Sequence, residues 1–146
     1  MRYSLLIFAL FALPLCSCKS EAELNATVSN PADAIKRARS EIDTFVQVLN
    51  SGNADDFSVK VPVEEDGQIN HIWMTGIEFR DGKFFGTLVI EPGMSTKMKT
   101  GQAWNVGKNA ITDWQYVRGT EIFGNYTLRA QLGTSMDGPM NFVIQQ

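Results

Sequence analysis

The chain has 146 residues, of which 44% are hydrophobic and 10% aromatic. This is enough apolar material for the core of one domain of ordinary size, and it excludes a chain that is disordered throughout. The formal net charge of -3 argues against nucleic-acid binding, because proteins of that class present a clustered basic face.

The first residues, "MRYSLLIFALFALPL", place the basic Arg2 before an apolar run from Leu5 to Leu15. This run is shorter than the roughly 20 apolar residues that cross a bilayer. A basic start followed by a short apolar segment is typical of a secretory signal peptide. We therefore predict a signal peptide at residues 1–17, which takes no part in the fold.

Both cysteines lie in the next segment, "LPLCSCKS". In an extended chain Cys16 and Cys18 point to opposite sides, so a disulfide between them would be strained. A metal site typically needs about four ligands, and no His or further Cys lies nearby in the sequence. The remaining interpretation is a lipid on Cys18, since "LCSC" resembles the bacterial lipobox at the end of a signal peptide.

This interpretation divides the chain and predicts its location. Residues 18–30 would be the lipidated cysteine and a flexible tether, and residues 31–146 a single globular domain held at the membrane by the lipid. Lys19, and not Asp, follows Cys18. Similar Gram-negative lipoproteins without Asp at this position usually go to the outer membrane, so this resemblance implies its periplasmic face. The alternative is cleavage after "SEA", which would give a soluble secreted or periplasmic protein.

One amphipathic helix is predicted from Pro31 to about Asn50. Asn30 can cap it, Pro31 suits the first helical position, and Gly52 is a plausible end. Apolar residues recur at helical spacing and form one stripe: Ile35, Ala38, Ile42, Phe45, Val46 and Leu49. Because the opposite side is polar, we expect this helix to pack on a sheet.

Strand signals follow the helix in close succession. "FSVKVPV" alternates, and Pro62 within it predicts an edge strand because proline cannot donate to a ladder. "EEDGQ" predicts a turn, and "INHIWMTGIEF" and "KFFGTLVI" flank the hairpin signal "RDGK". "QAWNV", "AITDWQYV" and "MNFVIQQ" read as strands, and "NYTLRAQL" as a short helix capped by Asn125. The prediction is an α+β domain with a curved, mainly antiparallel sheet of about five strands, the amphipathic helix on it and a short helix near the C-terminus.

No set of residues in this chain predicts catalysis, a metal site or a cofactor. His71 is the only histidine, and the predicted domain at residues 31–146 contains neither a cysteine nor a Gly-x-Ser-x-Gly elbow that it could activate. Asp113 stands beside Trp114 and needs a partner if it is buried; a bidentate pair with Arg129 would supply one. The candidate binding or structural residues are His71, Trp73, Glu91, Asp113, Trp114, Tyr126 and Arg129.

Five segments occur in an order that resembles the bacterial YegJ-like family, domain of unknown function 2314. They are "FSVKVPV", "HIWMTGIEFRDGKFFGTLVIEPG", "KTGQAW", "ITDWQYV" and "GNYTLRA", and together they span residues 57–132. The resemblance implies a compact α+β domain. It implies no particular reaction and no catalytic residue.

These observations favour an envelope lipoprotein whose domain is a binding module for an envelope protein or a small ligand. We expect its partner on the strand from Phe57 to Val63 or around Asp113 and Trp114. One alternative is an envelope hydrolase that uses Glu91, Asp113 or His71. Another is an inhibitor or immunity-like protein that caps an extracytoplasmic enzyme.

Overall fold

The computed structural model describes residues 30–141. The predicted signal peptide, Cys18, the tether up to residue 29 and the end of the last predicted strand lie outside these residues. No helix of the described part is long and apolar enough to cross a membrane.

The N-terminal helical region consists of two helices, α1 (Pro31–Ser40) and α2 (Ile42–Ser51). The side chain of Asn30 accepts the Ala32 N–H at 2.9 Å, and Gly52 ends α2 with a left-handed φ of 64°, so both predicted ends are confirmed. The prediction of one continuous helix is wrong. Glu41 leaves the helical conformation (φ -107°, ψ 7°), and its carboxylate is held by the Arg37 guanidinium and the Tyr126 hydroxyl.

Within residues 30–141, seven strands form one sheet in the order β4-β3-β2-β1-β5-β6-β7, and every neighbouring pair is antiparallel. The α+β class and the antiparallel sheet are confirmed. The expected number of about five strands is too low, because β6 has four residues and is too short to show a period. The strands are β1 (Asp55–Glu65), β2 (Gln68–Arg80), β3 (Lys83–Val89), β4 (Ala103–Gly107), β5 (Asp113–Arg118), β6 (Glu121–Gly124) and β7 (Met140–Asn141), with the predicted short helix, α3 (Tyr126–Leu132), before β7.

Two tight turns join the first three strands where the sequence predicts them. Asp66 and Gly67 have φ values of 51° and 78°, and Asp81 and Gly82 have 51° and 72°. Two successive left-handed residues are the requirement of a type I′ hairpin turn, which matches the twist of the strands. These turns fix the register in which β1, β2 and β3 pair.

The prediction that Pro62 marks an edge strand is wrong, since β1 lies between β2 and β5. The ladder to β5 ends at Lys60, which pairs with Asp113. The Lys60 carbonyl accepts the Thr112 N–H at 2.8 Å, so this side of Lys60 faces the β5 chain. Residues two apart in a strand direct their backbone groups to the same side, so the nitrogen of Pro62 also faces the β5 side. Because the ladder has already ended there, no hydrogen bond from Pro62 is required.

The main core lies between the two N-terminal helices and one face of the sheet. Phe45 is fully buried, and its ring centroid lies 5.3 to 6.4 Å from four other rings. Those rings belong to Phe57, Phe84, Trp114 and Tyr116. The indole N–H of Trp114 donates to the Ala38 carbonyl at 2.9 Å, which ties β5 to α1. Trp114 is therefore a core residue, only 3% exposed.

Tyr126 connects α3 to the joint between α1 and α2. Its ring packs edge-on against Trp114 at 5.5 Å, and its hydroxyl donates to the Glu41 carboxylate. Burial and the Glu41 carboxylate raise the pKa of Tyr126 above its usual value.

Replacement of Tyr126 with phenylalanine is expected to lower the free energy of unfolding by about 1 to 2 kcal/mol, because a hydrogen bond to a charged acceptor is lost while the ring packing is kept. Urea unfolding followed by tryptophan fluorescence measures this change. A Thr44→Val variant on the exposed side of α2 is the control, and equal stability of the two variants would show that the Glu41 contact contributes nothing.

Candidate binding pocket

The sheet face opposite the helical core carries a row of polar and aromatic side chains. Side chains alternate along a strand, so Lys60 points away from the core that Val59 and Val61 line. Lys60 pairs across the ladder with Trp73, and Pro62 pairs with His71. Residues directly opposite in an antiparallel pair share a face, and this register therefore places Lys60, His71 and Trp73 side by side.

A pocket of about 180 Å³ opens at one end of this face. Helix α1 supplies an apolar wall, while β1, β2, the residue before β5 and helix α3 supply polar groups. The lining residues are Pro31, Ile35, Lys60, His71, Thr112, Thr127 and Gln131. We call this site the Lys60 pocket, because Lys60 is the one lining residue with a permanent charge.

The ammonium group of Lys60 has neutral neighbours. It donates to the Thr127 hydroxyl at 3.0 Å and lies 4.7 Å from the centroid of the Trp73 ring, a cation–π distance. Among residues 30–141, no carboxylate oxygen comes within ion-pair distance of this ammonium. The pocket thus contains a cation whose charge no close carboxylate balances.

His71 lines the same pocket, where its ring is hydrogen-bonded to Thr112. Its Nδ1 lies 3.1 Å from the Thr112 hydroxyl, and that hydroxyl donates to the Lys60 carbonyl at 3.3 Å. With the hydroxyl proton directed to that carbonyl, Nδ1 carries the ring proton and Nε2 is left as an acceptor. Partial burial and the nearby Lys60 charge lower the pKa of His71.

We expect the imidazole of His71 to titrate below the ordinary value of about 6.5. Because His71 is the only histidine, its Cε1 proton gives a single NMR resonance whose pH dependence reports this pKa directly. Lys60→Met should raise the pKa of His71 by removing the repulsive charge, while Lys83→Met, at the distant start of β3, should leave it unchanged. A pKa at or above 6.5 in the wild type, or no change in Lys60→Met, would contradict the described electrostatics.

The lowered pKa of His71 also predicts how the free energy of unfolding changes with pH. A lowered pKa means that the unfolded chain binds a proton at His71 more readily than the folded one does. This contribution to the unfolding free energy is therefore fully present above about pH 6.5 and is lost as the pH falls from there through the lower pKa of the folded state.

Asp113 lies behind the pocket and is fully buried. Its Oδ1 accepts the N–H groups of Trp114 (2.9 Å) and Tyr126 (3.1 Å), and its Oδ2 accepts the N–H (2.7 Å) and the hydroxyl (2.6 Å) of Thr127. Asp113 therefore caps α3 from outside the helix. Burial raises the pKa of this carboxyl, and the four donors offset part of the rise.

Two predictions about this region are wrong. Asn125 does not cap α3 through its side chain; it is left-handed (φ 55°), and its amide donates to the Gln115 side chain at 2.9 Å. No ion pair joins Asp113 to Arg129 in the described part of the chain. Asp113 already meets four donors at the start of α3, and Arg129 directs its guanidinium to backbone carbonyls instead.

Arg129 is 2% exposed and fastens the C-terminal segment to β6. It donates to the carbonyls of Gly124 (2.7 Å), Gly138 (2.8 Å), Ser135 (2.9 Å) and Ile122 (3.4 Å). Its fixed fork of donors suits several acceptors at once. Burial lowers the pKa of Arg129.

The structure therefore brings together only some of the predicted site residues. His71 lines the Lys60 pocket, Trp73 packs beside it, and Asp113 supports it from behind through Thr127. Glu91 is exposed in the segment between β3 and β4 and does not line this pocket. No group of three or more His, Cys, Asp or Glu that could hold a metal ion occurs among residues 30–141.

Lys60, Thr112 and Thr127 were not among the sequence candidates. Lys60 has a signal in the sequence, because it occupies a polar position of an alternating strand. Thr127 has none, since it reaches Lys60 across 67 residues and only through the register of β1 against β5 and the position of α3.

A second polar cluster lies at the β1–β2 turn. Glu65 accepts the Thr96 hydroxyl, the Lys97 N–H at 2.8 Å and the Asn70 amide at 3.3 Å. Hydrogen bonds from Thr96 and Lys97 lower the pKa of Glu65. These contacts hold the segment between β3 and β4 against the β1–β2 turn.

The sequence of this domain matches the model of a bacterial protein family. The chain belongs to DUF2314, described as "Uncharacterized protein conserved in bacteria", whose family model matches residues 29–138. The resemblance seen over residues 57–132 is confirmed, and the matched region is wider, because it also includes α1 and α2.

Two relatives are similar to the chain. One is "Uncharacterized protein YegJ" of Escherichia coli (strain K12), with 42% identity over 103 residues, which covers 70% of this chain and 67% of the relative. The other is a Neisseria meningitidis serogroup B protein named "Putative ankyrin repeat protein", with 34% identity over 86 residues. That match covers 56% of this chain and 34% of the relative's length. No solved structure matches significantly.

Proposed function

We propose that this chain is a lipid-anchored envelope protein whose domain binds a ligand through the Lys60 pocket and the adjoining sheet face. The observation that carries the proposal is the pocket itself, in which a lysine ammonium, an imidazole and two hydroxyl groups converge next to an aromatic ring. Small-molecule sites typically have this composition of a partly apolar wall with a few convergent polar groups.

The sheet face beside the pocket supports a binding role. Ile69 and Val89 are 60% and 37% exposed, and both lie on the same face as Trp73 by alternation and register. Apolar side chains that remain exposed next to a polar pocket give a partner both contact area and specific hydrogen bonds. The partner would be an envelope protein or a small ligand.

The hydrolase alternative has less support from the geometry. A general acid or base needs an oxygen or a nitrogen that can reach substrate. His71 lines the pocket, but Thr112, the hydroxyl residue that it contacts, is only 3% exposed and is poorly placed to attack a substrate. Both oxygens of Asp113 already accept hydrogen bonds within the fold, and Glu91 does not line the pocket. The inhibitor or immunity-like alternative shares the binding surface and differs only in the identity of the partner.

A pull-down of the full chain from crosslinked bacterial cells tests the binding role. We expect a stoichiometric partner that is retained by Lys83→Met, a change on a distant turn, and is lost or greatly reduced in Lys60→Met. Equal recovery with both variants would exclude the Lys60 pocket as the binding site. An extracytoplasmic enzyme as the recovered partner would favour the inhibitor alternative.

The lipid anchor has its own test. Cells that make the chain in the presence of labelled palmitate should label the wild type and not Cys18→Ala. Labelling that persists in Cys18→Ala would contradict the anchor while leaving the binding proposal in place.

A further inference from the structure

We propose that the Lys60 pocket recognises the carboxylate of a small, partly apolar organic acid. This inference rests on the proposed binding function and names the chemical class of its ligand. It is carried by the charge, the donor geometry and the wall composition of the pocket.

The charge of the pocket calls for one negative charge on the ligand. Lys60 is the single cationic lining residue, and the Thr127 hydroxyl that it contacts gives its own proton to Asp113 at 2.6 Å. One of the three ammonium N–H groups therefore points to Thr127, and two remain for a ligand. A carboxylate provides two acceptor oxygens and the negative charge that would balance this ammonium.

The walls of the pocket define the rest of the ligand. Pro31 and Ile35 of α1 form an apolar side, and Gln131 of α3 adds a neutral donor at the rim. A volume of about 180 Å³ suits a compact acid rather than a peptide. One lysine and a neutral imidazole balance a monoanion better than a phosphate dianion, which commonly requires several cationic or N–H donors.

His71 makes carboxylate binding depend on pH. Its surroundings contain the Lys60 ammonium on β1 and, behind Thr127, the Asp113 carboxylate; the remaining lining groups from α1, α3 and the residue before β5 are uncharged. Protonation of Nε2 would add a second positive charge to the pocket. A bound carboxylate must then raise the pKa of His71, and carboxylate affinity must increase as the pH falls.

NMR titration of the purified chain tests this inference, with sodium benzoate as the probe and benzamide as its neutral counterpart of similar shape. We expect benzoate to move the His71 Cε1 proton resonance and to bind at least about tenfold more tightly than benzamide. Lys60→Met should weaken benzoate binding at least about tenfold, which is the loss of one charge-assisted hydrogen bond. Lys83→Met should bind as the wild type does.

A second variant keeps the test decisive if Lys60→Met does not fold. His71 lies at the surface, so His71→Gln should fold, and its affinity for benzoate should not increase between pH 7.5 and pH 5.5 as that of the wild type does. Equal binding of benzoate and benzamide, or the same pH dependence in His71→Gln, would overturn the inference. Inorganic phosphate that binds more tightly than benzoate would overturn it in favour of a phosphate site. If benzoate does not bind but a partner is still captured in a way that depends on Lys60, the carboxylate inference is wrong and the proposed binding function is retained.

Discussion

Replacement of Arg129 with methionine is expected to lower the free energy of unfolding by about 4 kcal/mol. The guanidinium donates to four backbone carbonyls in a site that is 2% exposed, and methionine fills the volume without any donor. Buried carbonyls that lose their partners account for a loss of this size. Urea unfolding followed by tryptophan fluorescence measures it.

Lysine should not rescue this position. Arg129→Lys keeps the charge, but an ammonium is a single point with three donors and cannot reach carbonyls on both β6 and the segment after α3. We expect Arg129→Lys to remain at least about 2 kcal/mol less stable than the wild type. Arg80→Met, at an exposed arginine, is the matched control and should stay within about 0.5 kcal/mol. An equally small effect in Arg129→Met would show that Arg129 does not hold the segment after α3 on β6.

Replacement of Asp113 with asparagine is expected to cost about 3 kcal/mol at pH 7. Each carboxylate oxygen of Asp113 accepts two hydrogen bonds. In asparagine an NH2 group takes the place of one of these oxygens, and its N–H groups would point at two other donors. Two buried donors would thus lose their acceptor, and the start of α3 would lose part of its cap. Chemical denaturation of the variant measures this loss.

Glu91→Gln makes the same chemical change at an exposed site and serves as the control. It should stay within about 0.5 kcal/mol of the wild type. The comparison also separates the two accounts of Asp113. A folded and fully stable Asp113→Asn would remove the structural role and return this carboxylate to the candidates for a catalytic acid.

Local signals in the sequence predicted the parts of the fold that depend on neighbouring residues. The Asn30 cap, the Gly52 end and the Asp81-Gly82 turn each depend on the φ values or hydrogen bonds of adjacent residues, and all three occur as expected. The alternation of "FSVKVPV" likewise predicted which side chains of β1 enter the core. Such features need no knowledge of the distant chain.

Long-range contacts decided the features that the sequence did not predict. Glu41 interrupts the helix where its carboxylate meets Tyr126, 85 residues away. Asp113 and Arg129 bond mainly to backbone groups and not to each other, and those backbone partners have no signature in the sequence. The central position of β1 also depends on β5 returning to pair with it, and Pro62 is compatible with that pairing only because the ladder ends at Lys60.

The candidate site combines both kinds of information. His71 and Trp73 were candidates from residue type alone, but nothing in the sequence connects them to Thr112 or Thr127. The register of β1 with β2 and β5 brings these groups to one face, and Asp113 then fixes Thr127 by two hydrogen bonds. Asp113 is therefore a positioning residue for the pocket as well as a cap for α3.

Site-specific photo-crosslinking in cells tests the central claim most directly. A photoreactive phenylalanine derivative placed at Thr87, on the same exposed sheet face as Trp73, should crosslink a partner, and Lys60→Met should reduce that crosslink. The same group at Gln47, on the exposed side of α2, should give no crosslink. Crosslinking from Gln47 and not from Thr87 would place the partner on the helical side and contradict the account.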